Sequence, residues 1–274
     1  MRHPTAVIHP GARLDASVEV GPYAVIEEGV VLGPGCVVGP YVHLAGRVVA
    51  GARNRFHAGC VIGDAPQDLK YDGAPTEVRI GEGNTFREHV TVNRASRAGG
   101  ATVIGSHNFL MASAHVGHDC TVGDHVIMAN GALLGGHVQV GDRAFLSGIS
   151  GAHQFVRIGT LALMQGTTAV TKDLPPYCMA RDVNRLCGLN TVGLRRAGIP
   201  GPERMELRRL YHELFRGRRP WKETLVAARG EYTGAPALAL LEFVAGSKRG
   251  VCADPARRRW AGAAPEAEDA DQGG

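Results

Sequence analysis

Aromatic residues are scarce, at 5% of 274 residues, whereas glycine occurs 38 times. That balance disfavours a layered α/β core, which depends on large side chains, and favours short strands joined by frequent turns. No apolar run approaches the roughly 20 residues a membrane span needs. The opening MRHPTAVIHP lacks the continuous apolar stretch of a secretion signal. A cytoplasmic protein that does not span a membrane is therefore expected. None of the six cysteines (36, 60, 120, 178, 187 and 252) forms a CxxC pair. Reduced thiols are the simplest reading, with little case for a zinc or dithiol site.

An excess of one charge sign is also missing overall, since the net charge is only +4, but the distribution is uneven. Residues 1–194 hold 15 basic and 15 acidic side chains, whereas residues 195–260 hold 15 and 7. A compact basic region implies an acidic partner. Its arginines are interleaved with apolar residues at helical spacing and carry no RNA-binding signature. An acidic protein or a phosphate is the expected partner, and nucleic acid is not.

What the sequence does have is a period of six. Aliphatic or apolar residues recur from Ile8 through Leu14, Val20, Ile26, Leu32, Val38, Leu44, Ala50 and Phe56 to Ile62. The phase resumes at Ile80, Phe86 and Val92, and again from Ile104 to Val170. Four residues after many of these sits a smaller apolar residue, such as Ala24, Cys36, Cys60, Ala114, Cys120 or Ala132. A period of six is neither helical nor the plain alternation of a strand. It is a strand-plus-turn unit, three of which close an 18-residue coil of a triangular prism. Cys36, Cys60 and Cys120 fall in the small inward slot, so burial accounts for them without chemistry.

The fold class expected is thus an all-β solenoid, a parallel β-helix of hexapeptide repeats spanning residues 1–190 with a C-terminal α-helical domain at 191–252. Residues 63–79 and 95–103 leave the phase and are expected to protrude as loops, where function tends to concentrate. The paired prolines after Leu174 are expected to end strand pairing. Leu207, Leu210, Tyr211, Leu214 and Phe215 then mark a helix, and two shorter helices follow around Trp221–Val226 and Leu238–Val244. This segment is the natural cap for the open end of the solenoid. The composition of residues 253–274 predicts a disordered tail.

The polar groups that a scaffold does not need gather between residues 110 and 154. With 18 residues per coil, positions 118, 136 and 154 stack along one wall, at a coil spacing of roughly 4.8 Å. His118, Gly136 with His137, and Gln154 with His153 should therefore form a ladder. A single histidine on such a surface is more often a turn residue than a catalyst, but several aligned within three coils point to chemistry. His118 followed by Asp119 suits a general base with a carboxylate to orient it. Gly136, one coil above, offers an unhindered backbone N–H where an oxyanion could sit. A hydroxyl on a bound substrate would complete an acyl transfer without a protein nucleophile.

At this point the residues resemble a known family, the UDP-N-acetylglucosamine O-acyltransferases that carry out the first acylation in lipid A biosynthesis. The resemblance spans about residues 3–250 and rests on APQDLKYDGAPTEVRIG, REHVTVNR, NFLMASAHVGHDCTVGD, LLGGHVQVGD, GAHQFVRIG, DLPPY, GLNTVGLRRAG and FVAGSKRG. It implies a left-handed coil, a homotrimer with active sites between subunits, and no cofactor. The reaction implied moves an (R)-3-hydroxyacyl group from acyl carrier protein to UDP-N-acetylglucosamine or its 3-amino analogue. In that reading His118 is the base with Asp119 beside it, and Gly136 is the oxyanion donor. Asp68, Lys70, His115, His137, His153, Gln154, Asn190 and Arg196 hold the sugar nucleotide. Gly166 sets acyl length and leaves room for a longer chain. One site is implied to draw its loop and its base from different subunits, and the basic C-terminal region to dock the acidic carrier protein. Val192 and Ala197 depart from the glutamate and the second arginine that the family commonly shows. Three other readings compete: a coenzyme-A-dependent sugar acetyltransferase, a zinc-dependent trimeric hydratase and a non-catalytic hexapeptide scaffold. The pair HVGHD and QDLKY argues against the first. The spacing of His115 and His118 differs from that of the zinc ligands in such hydratases, so no metal is expected. A scaffold has no reason to align histidines.

Overall fold

A computed structural model describes residues 1–228 and 230–256. Strands of mostly two residues alternate with four-residue turns up to Val170. They assemble into three parallel sheets of 9, 8 and 8 strands in which each strand pairs with the third one along the chain, and two later strands extend the last sheet to 10. The register is one coil: His115 pairs with Leu133, and Leu133 with Gly151. The apolar hexad residues point inward. From Val20 to Val170 they are buried, and so are the small partners, including Cys36, Cys60 and Cys120 at 0% exposure. Burial pushes the Cys60 and Cys120 thiols up to about 12, so they are poor nucleophiles.

One edge of the prism carries a column of buried asparagines. Asn54 Oδ1 accepts from Asn84 Nδ2 (2.9 Å) and from Asn84 N (3.0 Å). Asn84 Oδ1 accepts from Asn108 N (2.8 Å), and Asn108 Oδ1 from Val126 N (2.6 Å). The ladder ties together coils whose spacing the loops have disturbed. Asn84→Ala should remove bonds from a fully buried site and destabilise the fold by roughly 2–4 kcal/mol. The midpoint of urea unfolding measures this, and an unchanged midpoint would show that the column is dispensable.

Both loops are shorter than the phase break implies. Strands extend to Asp64, resume at Glu77, and resume again at Ala101, so residues 65–76 and 94–100 form the loops. The prolines do not end strand pairing. Ile158 bridges Leu174, and Cys178–Arg181 pairs in parallel with Leu163–Met164, then antiparallel with Arg185–Leu189. The prolines are tolerated because they sit at a corner, while Leu174 N and Tyr177 N on either side donate to the coil below.

Among the described residues four helices follow: α1 (Thr191–Arg196), α2 (Gly201–Phe215), α3 (Trp221–Ala228) and α4 (Ala235–Ala245). Leu207, Leu210, Tyr211, Leu214 and Phe215 form the buried face of α2. Asp173, 1% exposed, fastens the helical segment to the prism by accepting from Arg157 N, Arg157 Nε and Ser247 Oγ. The start of the expected disordered tail is ordered instead: Ala253 bridges Arg185, and buried Asp254 accepts from Tyr211 Oη and Arg216 Nε, each at 2.7 Å. Residues 257–274 lie outside the described residues. No helix among the described residues is long and apolar enough to cross a membrane.

Candidate active site

His118 and Asp119 occupy the turn that leaves the strand His115–Val116, and Asp119 takes a left-handed conformation (φ 60°). His137 and Phe155 adopt the same conformation one and two coils above (φ 61° and 66°). Because backbone twist repeats with the coil, side chains from these turns project on one side of the same edge. His137 stacks on Phe155 with ring centroids 4.4 Å apart and meets His118 edge-on at 5.1 Å.

His118 Nδ1 donates to Asp119 Oδ2 at 2.7 Å. A carboxylate only accepts, so the proton of the neutral imidazole stands on Nδ1 and Nε2 keeps its lone pair. Asp119 is held in its ionised form. Burial would raise its carboxyl, but hydrogen bonds from His118 and from Ser96 N–H (3.2 and 3.1 Å to its two oxygens) lower it below the usual carboxylate value. Fully buried Thr102 accepts from Asp119 N at 2.9 Å, which steadies the strained turn. His137 Nε2 lies 3.6 Å from the same carboxylate. Burial keeps His137 below the ordinary histidine value, as it does His115, whose Nδ1 sits 2.7 Å from Thr91 Oγ1.

Gly136 faces the imidazole directly. A Cβ built there would stand 2.5 Å from His118 Cε1 and Nε2. The backbone does not demand glycine, because the equivalent positions below and above hold His118 and Gln154. The missing side chain is therefore the space that the base occupies. Among the described residues the Gly136 N–H has no acceptor.

The other expected residues divide between edges of the prism. Asp68 in the loop acts electrostatically on His137, opposing the lowering of its titration by burial. Lys70 is exposed, and its N–H donates to Asp68 Oδ1 at 3.0 Å. His153 and Gln154 are exposed further up the ladder, where Arg249 Nη2 lies 3.3 Å from His153 Nδ1. Asn190 belongs to another edge. Its Oδ1 accepts from Gly193 N to cap α1, and its Nδ2 donates to Leu161 O, each at 2.9 Å. Arg196 ends α1, exposed, with exposed Val192 and half-buried Ala197 nearby. Gly166 lies on the third edge, where a Cβ would meet only Gly148 O at 3.7 Å. Ser96, Thr102 and Phe155 were not singled out by sequence. The phase break at 95–103 marked the loop, but not its closure onto Asp119. A separate cavity of about 760 Å³ beside α1 and α2 is lined by Arg195, Arg204, Arg208, Arg216 and Met205.

The same fold recurs in known proteins. A family model described as UDP-N-acetylglucosamine O-acyltransferase, domain 2, matches residues 173–252, and a bacterial transferase hexapeptide model matches residues 101–136. The acyl-[acyl-carrier-protein]–UDP-N-acetylglucosamine O-acyltransferase of Myxococcus xanthus is 46% identical over 252 residues, covering 91% of this chain and 98% of its own length. The chain belongs to this UDP-N-acetylglucosamine O-acyltransferase family. The enzyme of that name from Thermodesulfovibrio yellowstonii is 44% identical with the same coverage. Among solved structures, the UDP-N-acetylglucosamine acyltransferase of Francisella novicida superposes with a TM-score of 0.88 at 34% identity, covering 93% of this chain and 95% of its own. The Campylobacter jejuni enzyme gives 0.87 at 32%, covering 92% and 99%. The solenoid is the left-handed β-helix of these acyltransferases.

Proposed function

We propose that the chain transfers an (R)-3-hydroxyacyl group from acyl carrier protein to the 3-hydroxyl of UDP-N-acetylglucosamine, an early step towards lipid A. The observation that carries this is the 2.7 Å bond between His118 Nδ1 and Asp119, with Gly136, whose N–H has no acceptor among the described residues, packed bare against the imidazole. Nε2 takes the hydroxyl proton as the sugar oxygen attacks the thioester carbonyl. The oxyanion accepts from Gly136 N–H, and Asp119 stabilises the imidazolium. Collapse expels the carrier thiolate, which recovers the proton from His118. Neither a protein nucleophile nor a cofactor enters the scheme.

The enzyme acts in the cytoplasm as a homotrimer in this reading. Six free cysteines fit a reducing compartment. His118, Asn190 and Gly166 stand on three different edges of one prism, so a site that uses all of them needs more than one subunit. The arginine-lined cavity beside α1 and α2 suits an acidic carrier protein. Purified protein supplied with a panel of carrier-protein thioesters and both UDP-sugars tests the proposal by mass spectrometry of the products. An O-acylated UDP-N-acetylglucosamine is expected, whereas N-acylation of the amino analogue alone, or acetyl transfer from coenzyme A, contradicts it.

Two further outcomes follow. Lys70→Ala should raise the KM for the nucleotide sugar about tenfold while leaving kcat near normal, as for loss of one charged contact. Steady-state kinetics reads this, and an unchanged KM would separate the loop from substrate binding. The open space at Gly166 should favour long acyl donors over those of about ten carbons, since a pocket discriminates chain length by the room it leaves. Faster turnover of the shorter donors would remove Gly166 from this role.

A further inference from the structure

The proposed mechanism uses His118 as a base, yet the cluster around it also matches another chemistry. His118 Nδ1 and His137 Nε2 flank Asp119 Oδ2 at 2.7 and 3.6 Å. The ligand atoms of the three residues all lie within 4.8 Å of one another. In a tetrahedral site with zinc–nitrogen and zinc–oxygen bonds of about 2.0–2.2 Å, ligand atoms stand roughly 3.3 Å apart. The two observed separations straddle that value, so small rotations would suffice. Two imidazoles and a carboxylate are the borderline donor set that divalent zinc, cobalt or nickel prefers. The support is built in: Ser96 N–H braces the carboxylate, and Phe155 stacks on His137. All three residues are only partly buried, so an ion has a route in and a water could complete the fourth position.

We propose that His118, Asp119 and His137 form an inhibitory site for a divalent transition-metal ion such as zinc. The consequence rests on the reading of His118 as the base, whereas the binding itself rests on geometry alone. To ligate through Nδ1, the neutral imidazole must give up the Nδ1 proton that it now donates to Asp119. The proton moves to Nε2, and no net proton is released. Nε2 then becomes a donor and can no longer take a proton from a sugar hydroxyl. Occupancy thus silences the base by inverting its tautomer, and Asp119 is drawn from imidazole to metal.

The test uses the purified full-length enzyme. Zinc binding is measured by competition with a chromophoric chelator, and cobalt binding by its visible absorption. The expected result is one saturable ion per chain, with an intense cobalt band indicating tetrahedral ligation. Zinc should lower turnover at least tenfold, and a chelator should restore it. Changing even an outer partner of a metal ligand typically costs 10–100-fold in affinity, so His137→Gln and Asp119→Asn should each weaken binding by about 100-fold or more. Circular dichroism of both variants establishes that the fold persists. Absence of binding, or affinity unchanged in the two variants, overturns the site, and tight binding with undiminished turnover overturns the silencing. Metal-free His118→Ala separates this from the acyl-transfer reading. If that variant retains full activity the catalytic role falls whatever zinc does, and if it is inactive while zinc fails to bind, only the metal site falls.

Discussion

Replacing His118 by alanine is expected to lower turnover by about 100-fold or more while leaving the solenoid intact, in line with loss of a general base. The side chain is partly exposed on an outer edge, and the interior beneath it is filled by Val116 and Cys120, both 0% exposed. Removing the imidazole therefore costs the core nothing. What is lost is the acceptor that Asp119 orients through the 2.7 Å bond to Nδ1. Binding of the UDP-sugar should persist, because the loop residues and the α1 region are untouched. The split is read by comparing kcat with the dissociation constant of the nucleotide sugar. Near-normal turnover would remove the proposed base.

Gly136→Ala is expected to have a similar effect for a different reason. The position lies outside the left-handed region that favours glycine, so alanine introduces no backbone strain. Its methyl group would, however, stand 2.5 Å from His118 Nε2. Something must move, and the imidazole is the more mobile partner. It should swing off Asp119 and take Nε2 out of its present place. Turnover should fall about 100-fold with an unchanged thermal transition. Misplacing a catalytic group by about 1 Å is enough for such a loss. If Gly136→Ala instead retained activity, the contact between ring and glycine would not matter. If it unfolded the protein, glycine would be structural after all.

Much of this arrangement was legible in the sequence because a solenoid turns one-dimensional period into three-dimensional register. The recurrence from Ile104 to Val170 placed His118 under Gly136 and Gln154, and it put Cys36, Cys60 and Cys120 indoors. Where coils depart from 18 residues, that arithmetic stops working. The Asn54–Asn84–Asn108 column crosses two loop insertions, so its members are unevenly spaced in the chain. The coil after Pro175 and Pro176 is shorter than its predecessors, and the prolines sit at a corner that needs no donor from them. Ser96 reaches Asp119 from a loop whose path no periodicity governs, and Thr102 from the strand that follows it. Gly136 was read for its amide, and only packing shows that its bare Cα makes room for the base. Asn190 illustrates the opposite limit: in one chain its side chain is spent on capping α1 and bonding Leu161. Within the chain it stands on a different edge from the ladder.

The catalytic role of the edge at His118 is tested most directly by a crystal structure with UDP-N-acetylglucosamine bound. The sugar 3-hydroxyl is expected within about 2.6–3.2 Å of His118 Nε2, with the Gly136 N–H turned towards the same space. A hydroxyl bound elsewhere, with Nε2 facing solvent or another group, would contradict it.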